Sequence, residues 1–389
     1  MILAGEASGE RHGADLIRAL QRKYPAVAFE FFGSGGPHMR QAGAEILVDV
    51  KDVGIIGPVE IARAWRKIYH AFRQLREAAR ARHPDAVILI DWPEFNLRLV
   101  KSLKRAGLPT IYYISPQIWA WRRYRLRTIK RYVDKMIVIL PFELDFYRRA
   151  GMPVEFVGHP LLGSVQATQD RLAFCAQYQL DPQRPIISFL PGSRRSEVNH
   201  ILPVMIESII RLRRTGAQFL IPLAATISRA DVEELIKNTL RLPPPTAAGE
   251  ARGAVDLLLI EHDTHNALAH SDLAVVTSGT ATLEAALLET PLIVVYRSSE
   301  LNYRLIRPLI HLDTFGMVNL IAGQKIVPEL IQRDMNPNRL AGTVMDLLKD
   351  EAQRAAIKHK LKQVKQSLGE GSAVDRAAEI VMNAVSSGH

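Results

Sequence analysis

Asp91 and Glu94 sit three residues apart just beyond Ala86–Ile90, a run that is apolar throughout. In an open α/β sheet the carboxyl end of such a strand faces the ligand crevice, where a carboxylate can take a proton from a bound alcohol. With Pro93 opening the next helix, Glu94 falls in its first turn, where the helix dipole favours the ionised, proton-accepting form. Glu94 is therefore the first choice for a general base, with Asp91 and Glu6 as the other candidates. A helix cap at Asp91 and a first-turn charge at Glu94 would leave the same residues without any chemistry.

Gly5-Glu6-Ala7-Ser8-Gly9-Glu10 forms a second acidic turn between an apolar stub and a helix. Its spacing is not that of a dinucleotide fingerprint, and two glutamates repel a diphosphate, so Glu6, Ser8 and Glu10 suit an acceptor sugar hydroxyl better. The plainer alternative is a tight turn in which Glu10 serves a helix by its charge.

Phosphate chemistry is written later in the chain. Leu190-Pro191-Gly192-Ser193-Arg194 follows a strand and precedes a helix begun by Glu197. Gly192 and Ser193 expose backbone donors, and Arg194 can pair with a diphosphate as its negative charge grows. Ser278, Gly279 and Thr280 repeat the device, and Glu284 follows one turn inside a helix, where a carboxylate can accept both hydroxyls of a ribose.

Ser115–Arg122 contains Trp119 and Trp121 and opens a stretch with six Lys or Arg from Arg122 to Arg131, Arg123 among them. Tryptophan beside dense positive charge suits a surface where acyl chains and phosphates meet; a solvated basic helix is the alternative. Trp65 and Phe72 recur at helical spacing with Ile61, Ile68 and Tyr69 among arginines, which fits a core stripe or a membrane-surface helix equally.

The elements that position these residues are short apolar strands alternating with amphipathic helices. Strands are expected at Ala28–Phe32, Ala86–Ile90, Thr110–Ile114, Lys135–Ile139 and Val154–Val157, and again at Ile186–Leu190, Gln218–Leu223, Leu257–Ile260, Leu273–Thr277 and Leu292–Val295. This is an α/β pattern with parallel sheets covered on both faces. At 389 residues the chain has room for two such domains. The expected division is 1–163, 164–365 and a closing helix at 366–389 that packs back on the first domain. The proline-rich stretch Arg241–Ala254 is expected to be an exposed connection.

Residues 1–163 hold 26 Lys+Arg against 16 Asp+Glu, whereas residues 164–389 hold 24 of each, so the whole net charge of +10 lies in the first part. That field suits an anionic membrane, a phosphorylated substrate or nucleic acid. The single Cys175 fits packing in a reducing cytoplasm, with no disulfide framework and no Cys-based zinc site. No run is long and apolar enough to span a bilayer, and the first residues carry no leader pattern. The expected location is the cytoplasm.

Taken in order, Ala4–Glu10, Val53–Ile61, Ile90–Asn96, Tyr113–Arg122, Leu140–Glu143, Gly158–Pro160, Leu190–Arg194, Thr277–Glu284, Asn319–Gly323 and Pro328–Gln332 resemble the lipid-A-disaccharide synthases along nearly the whole chain. The resemblance implies a GT-B fold, two Rossmann-like domains facing across a cleft, with acceptor and membrane contacts from the first and UDP contacts from the second. It implies an inverting transfer from UDP-2,3-diacylglucosamine to 2,3-diacylglucosamine 1-phosphate (lipid X), giving lipid A disaccharide 1-phosphate and UDP. By motif position Glu94 stands where the family has an essential aspartate, Arg194 where it has the arginine of its glycine-serine turn, and Glu284 and Asn319 where residues contact the nucleotide. The chain departs from the family pattern with Glu10 and Glu94 in place of aspartates and with Gly316-Met317-Val318-Asn319. The resemblance also implies peripheral association with the inner face of the inner membrane, and it raises a homodimer built through the second domain.

No clustered ligand set accompanies the diphosphate motifs, so neither a metal nor a cofactor is expected. Another UDP-sugar enzyme of the same fold, a peptidoglycan glucosaminyltransferase or a 2-epimerase, would share the second-half motifs but not Ile90–Asn96 or Trp119–Arg122. Nucleic-acid binding is disfavoured, because zinc spacing and aromatic RNA-binding motifs are missing and the phosphate-type turns lie in the neutral half.

Overall fold

The computed structural model describes residues 1–53, 61–241, 256–300, 303–304 and 314–386, with side chains from Arg66 onward in the helix Ile61–Arg82. The chain divides into two units, Met1–Pro160 with Leu368–His389, and Leu161–Ser367.

In the first unit the described residues form β1 (Ile2–Ala4), β2 (Phe31–Gly35), β3 (Ala44–Asp49), β4 (Val87–Ile90), β5 (Thr110–Tyr113), β6 (Lys135–Val138) and β7 (Val154–Phe156). Their order is β3-β2-β1-β4-β5-β6-β7, parallel at every pairing. Strand order reverses between β1 and β4, the switch point where such a sheet opens a crevice beyond its carboxyl ends. Helices cover both faces, so the central strands bury every side chain, as β4 does at all four positions. The helix Ala373–Ser386 packs back onto this unit. Ala377, Ala378 and Val381 join the cluster built by Leu16, Ile17 and Leu20, and the pairs Arg22–Asp375 and Lys23–Glu379 link it to the helix Ala7–Lys23.

The second unit repeats the plan with β8 (Ile186–Leu190), β9 (Gln218–Leu223), β10 (Leu257–Glu261), β11 (Leu273–Thr277), β12 (Leu292–Tyr296) and β13 (Glu329–Ile331). Their order is β10-β9-β8-β11-β12-β13, again parallel, with the switch point between β8 and β11. Helix Glu351–Ser367 stays with this unit, packing on the helices Thr280–Leu287 and Met317–Ala322. Cys175 is buried in the helix Arg171–Tyr178.

Two doubly wound parallel sheets are the architecture the alternating pattern predicts. The strand expected at Ala28–Phe32 starts later, because Val27 is exposed and Phe29 precedes the ladder, stacked on Phe31. β3 and β13 are edge strands of mixed exposure, so neither reads as an apolar run. Residues 54–60 of the Val53–Ile61 motif and residues 242–254 of the proline-rich stretch lie outside the described residues.

Candidate functional site

Asp91 leaves β4 with a φ of 44° and Trp92 follows at 48°. Both lie in the left-handed region, which costs a non-glycine residue about 1–2 kcal/mol. Side chains hold this bend. The Trp92 ring lies on Phe95 with centroids 3.9 Å apart and planes 5° from parallel. On its other side it covers Gly5, where a Cβ would fall 1.9 Å from the indole, so that position requires glycine. The Asp91 carbonyl accepts hydrogen bonds from Asn96 Nδ2 at 2.8 Å and from the Tyr112 hydroxyl at 2.6 Å. Burial, together with the negative charges of Glu6 and Glu94, pushes the Asp91 carboxyl up to about 6.

Glu94 has the opposite setting. Its Oε1 accepts from Arg122 Nη1 at 2.5 Å and from Arg125 Nη2 at 2.7 Å. Burial works against its charged form, but the hydrogen bond and charge of Arg125, with Arg122 beyond, outweigh it and hold the carboxyl below its usual range. A carboxylate shared by two guanidiniums is a poorer proton acceptor than one raised by burial and like charge, which on electrostatic grounds favours Asp91 over Glu94.

Other expected contacts of the first unit are corrected. Glu10 is 3% exposed, with Oε1 accepting from the Met39 N–H at 2.9 Å and Oε2 lying 2.7 Å from His38 Nδ1. It satisfies the start of helix Pro37–Gln41 and is closed to a sugar. Ser8 is exposed and Glu6, the residue preceding the helix Ala7–Lys23, is half-buried. Trp119 is buried, its Nε1 donating to Glu143 Oε1 at 3.0 Å, so its ring is not at a surface. Phe72 packs edge-on against Phe95 at 6.0 Å and serves the core, as does Ile68. Trp65 lies on the same helix, with its side chain outside the described residues. Trp121 is half-buried beneath the Arg122 guanidinium, 4.1 Å from the ring, and Arg123 is exposed.

In the second unit the carboxyl ends of β8, β9, β10 and β11 surround a cavity of about 630 Å³. Gly192, Ser193, Arg194, Ser278, Gly279, Thr280 and Glu284 all line it, brought together from two segments more than eighty residues apart. Gly192 has a φ of 117°, and a Cβ there would meet Glu197 Oε2 at 2.6 Å. The Ser193 amide, expected to face a ligand, instead donates to Glu197 Oε2 at 3.1 Å, and the Arg194 amide donates to the same oxygen at 3.3 Å. The Arg194 side chain is 81% exposed, with Nη1 3.5 Å from Glu197 Oε1 in a loose ion pair, and its remaining donors can reach an anion. Burial raises the Glu284 carboxyl, with His265 acting in the opposite direction.

Asn319 does not belong to this cavity. It is 1% exposed; Nδ2 donates to Val327 O and Glu329 Oε1, while Oδ1 accepts the amides of Ile326 and Val327. All its polar capacity is spent tying the helix Met317–Ala322 to the segment before β13, so the expected nucleotide contact is withdrawn.

Sequence reasoning missed several participants. His262, Asp263, Thr264, His265 and Asn266 line the cavity beyond β10, which a strand-end rule applied evenly to every strand would have found. Tyr112 and Glu143 gave no signal, because their partners lie at sequence separations of 21 and 24. Among the described residues no group of three or more His, Cys, Asp or Glu side chains is arranged to hold a metal, and no helix is long and apolar enough to cross a membrane.

Comparison with known proteins agrees with both sheets and with the motifs. The family model described as "Lipid-A-disaccharide synthetase" matches residues 1–385. The lipid-A-disaccharide synthase of Trichlorobacter lovleyi is 42% identical over 387 residues, 99% of this chain and 97% of that protein. Among solved structures, the UDP-GlcNAc 2-epimerase of Neisseria meningitidis bound to UDP-GlcNAc superimposes with a TM-score of 0.64 at 14% identity, covering 98% of this chain and 99% of that one. A calicheamicin glycosyltransferase gives 0.56 at 14% identity, covering 99% and 98%. At such identities the two structures speak for the fold alone, and the sequence relatives favour neither an epimerase nor a nucleic-acid-binding protein. The motifs, the paired sheets and a match along nearly the whole length lead to one conclusion: the chain belongs to the lipid-A-disaccharide synthetase family, glycosyltransferases of lipid A biosynthesis.

Proposed function

We propose that the chain transfers 2,3-diacylglucosamine from its UDP derivative to the 6-hydroxyl of 2,3-diacylglucosamine 1-phosphate, with inversion, releasing UDP and lipid A disaccharide 1-phosphate. The observation that carries this reading is Asp91, a half-buried carboxylate raised to about 6 at the switch point of the first sheet, its backbone fixed by Asn96 and Tyr112. Such a group is ionised at neutral pH yet basic enough to take a proton from an alcohol in the transition state.

The acceptor oxygen attacks the anomeric carbon as the bond from that carbon to the diphosphate breaks. Asp91 takes the hydroxyl proton, and the bonding electrons leave with UDP. In the second unit the Arg194 guanidinium meets the charge growing on the diphosphate, and Glu284 accepts the ribose hydroxyls. The negative charge of Glu6 raises the proton affinity of Asp91, and Ser8 stands open to the acceptor sugar. The step as written uses no metal, so activity is expected to survive a chelator. The basic first unit, with Arg122, Arg123 and exposed Tyr124, suits peripheral attachment to the inner face of the inner membrane.

The test is an assay of the purified protein with UDP-2,3-diacylglucosamine and lipid X, with the product weighed by mass spectrometry. A disaccharide phosphate formed in step with UDP supports the reading. UDP release without disaccharide, or consumption of the UDP-sugar with no acceptor present, overturns it.

A further inference from the structure

The cationic cluster beside Asp91 is not used by the proton transfer, yet it is a built feature. Arg125 is only 12% exposed in its side chain, and Arg122 adopts a left-handed backbone with φ 56°. Both guanidiniums converge on the same carboxylate oxygen, Glu94 Oε1, so two positive charges face one negative charge. Each guanidinium carries five N–H donors, and Glu94 engages one from each. The segment leading into the cluster is anchored from below. Trp119 Nε1 donates to buried Glu143, and the Ser115 hydroxyl lies 2.8 Å from that of buried Tyr147. Arg122 is braced from the side, stacked on Trp121 at 4.1 Å. Tyr112, whose hydroxyl bonds the Asp91 carbonyl, also lies within the field of Arg125, which ties the cluster to the carboxylate turn.

Strain, stacking and partial burial devoted to a net positive pair are the signature of an anion receptor, since a surface ion pair would need none of them. Resting on the proposed reaction, we infer that Arg122 and Arg125 bind the anomeric phosphate of the acceptor. Glu94 holds the two forks converged when the phosphate is away, and the phosphate oxygens take the donors it leaves. Phosphate at one end of the sugar then fixes its 6-hydroxyl toward Asp91 at the other. In this arrangement Arg122 and Arg125 select the acceptor, and Trp119 with Glu143 acts as a positioning pair.

The same cluster could instead meet phosphates of the membrane surface, and the experiment separates the two sources. Wild type, Arg122→Gln and Arg125→Gln are assayed in neutral detergent micelles with lipid X and with its 1-dephosphorylated analogue, and UDP binding is measured in each as a check on folding. Wild type is expected to prefer the phosphorylated acceptor by about 100-fold in kcat/KM, and each variant to narrow that preference about tenfold or more through KM for lipid X. Rates on the dephosphorylated analogue fall by a clearly smaller factor than those on lipid X. Equal losses on both acceptors, an unchanged preference, or a loss that appears only with anionic vesicles would overturn the inference. Absence of disaccharide from wild type with either acceptor would instead overturn the proposed reaction.

Discussion

The two units share one topology and shape their switch points by different means. In the first, the backbone beyond β4 and β5 bends through non-glycine residues at positive φ, namely Asp91, Trp92, Ile114 and Arg122. In the second, the turns beyond β8 and β11, which line the cavity, bend at Gly192 and Gly279, while His262 beyond β10 and Gln332 beyond β13 are the residues with side chains that do the same. A left-handed residue with a side chain aims that side chain at a cost in strain, whereas glycine clears space for a ligand to approach. The first unit is accordingly built to point carboxylates and guanidiniums, and the second to leave a cavity around which Arg194 and Glu284 are spaced. Duplicating a sheet fixes where chemistry occurs, and the choice between glycine and a strained side chain fixes which chemistry.

Five substitutions test that contrast. Asp91→Asn removes the aimed base and is expected to lower kcat about 10²- to 10⁴-fold with UDP affinity unchanged. In wild type a base must be ionised, so kcat/KM should climb as pH rises through about 6 and level off above it. Glu94→Gln should cost less than about tenfold and leave that limb in place; if it costs as much as Asp91→Asn and abolishes the limb, the base is Glu94.

Glu143→Gln addresses the anchoring of the first unit. Burial raises the Glu143 carboxyl to about 7, above its ordinary 4.5, although Trp119 and the Leu140 amide favour the charge. A raised carboxyl stabilises the fold below its unfolded value and loses that contribution as pH climbs through the folded value. Relative to Glu143→Gln, wild type should therefore lose on the order of 3 kcal/mol of stability between about pH 4.5 and 8, measured by urea unfolding. A pH-independent difference would show that this carboxyl is not desolvated.

Glu284→Gln probes the cavity. It should weaken UDP binding about tenfold by calorimetry, while a 2′,3′-dideoxy analogue binds both forms alike. An equal loss with the analogue would remove the ribose from this residue. Asn319→Ala carries the smallest effect on ligand. It should lower stability by about 1–3 kcal/mol, yet shift the UDP dissociation constant less than about twofold.

Legibility from sequence followed burial. β8, β9 and β11 coincide with their expected residues because each is buried on both faces and reads as an uninterrupted apolar run, Gln218 and Ser188 notwithstanding. Strand-end placement brought out Asp91, Glu94, Arg194 and Glu284, because the carboxyl edge of a parallel sheet is fixed by chain direction. What spacing could not convey was partnership across the fold. Nothing local distinguishes Glu94 from Asp91 until Arg122 and Arg125 arrive from 28 and 31 residues away. Trp119 looked like an interfacial ring until Glu143 drew its N–H inward, and Asn319 looked available until four partners filled it.

The returning helix Ala373–Ser386 has a bearing on how this chain comes to fold. Its small apolar face completes the layer above Ile17 and Leu20, yet it is synthesised after the entire second unit. During translation the first sheet must wait, one flank uncovered, until the whole second unit has been made. A fragment ending at Pro160 would carry that open flank permanently, and aggregation is its natural fate. Co-expressing the missing helix as a separate peptide is the way such a fragment could be rescued.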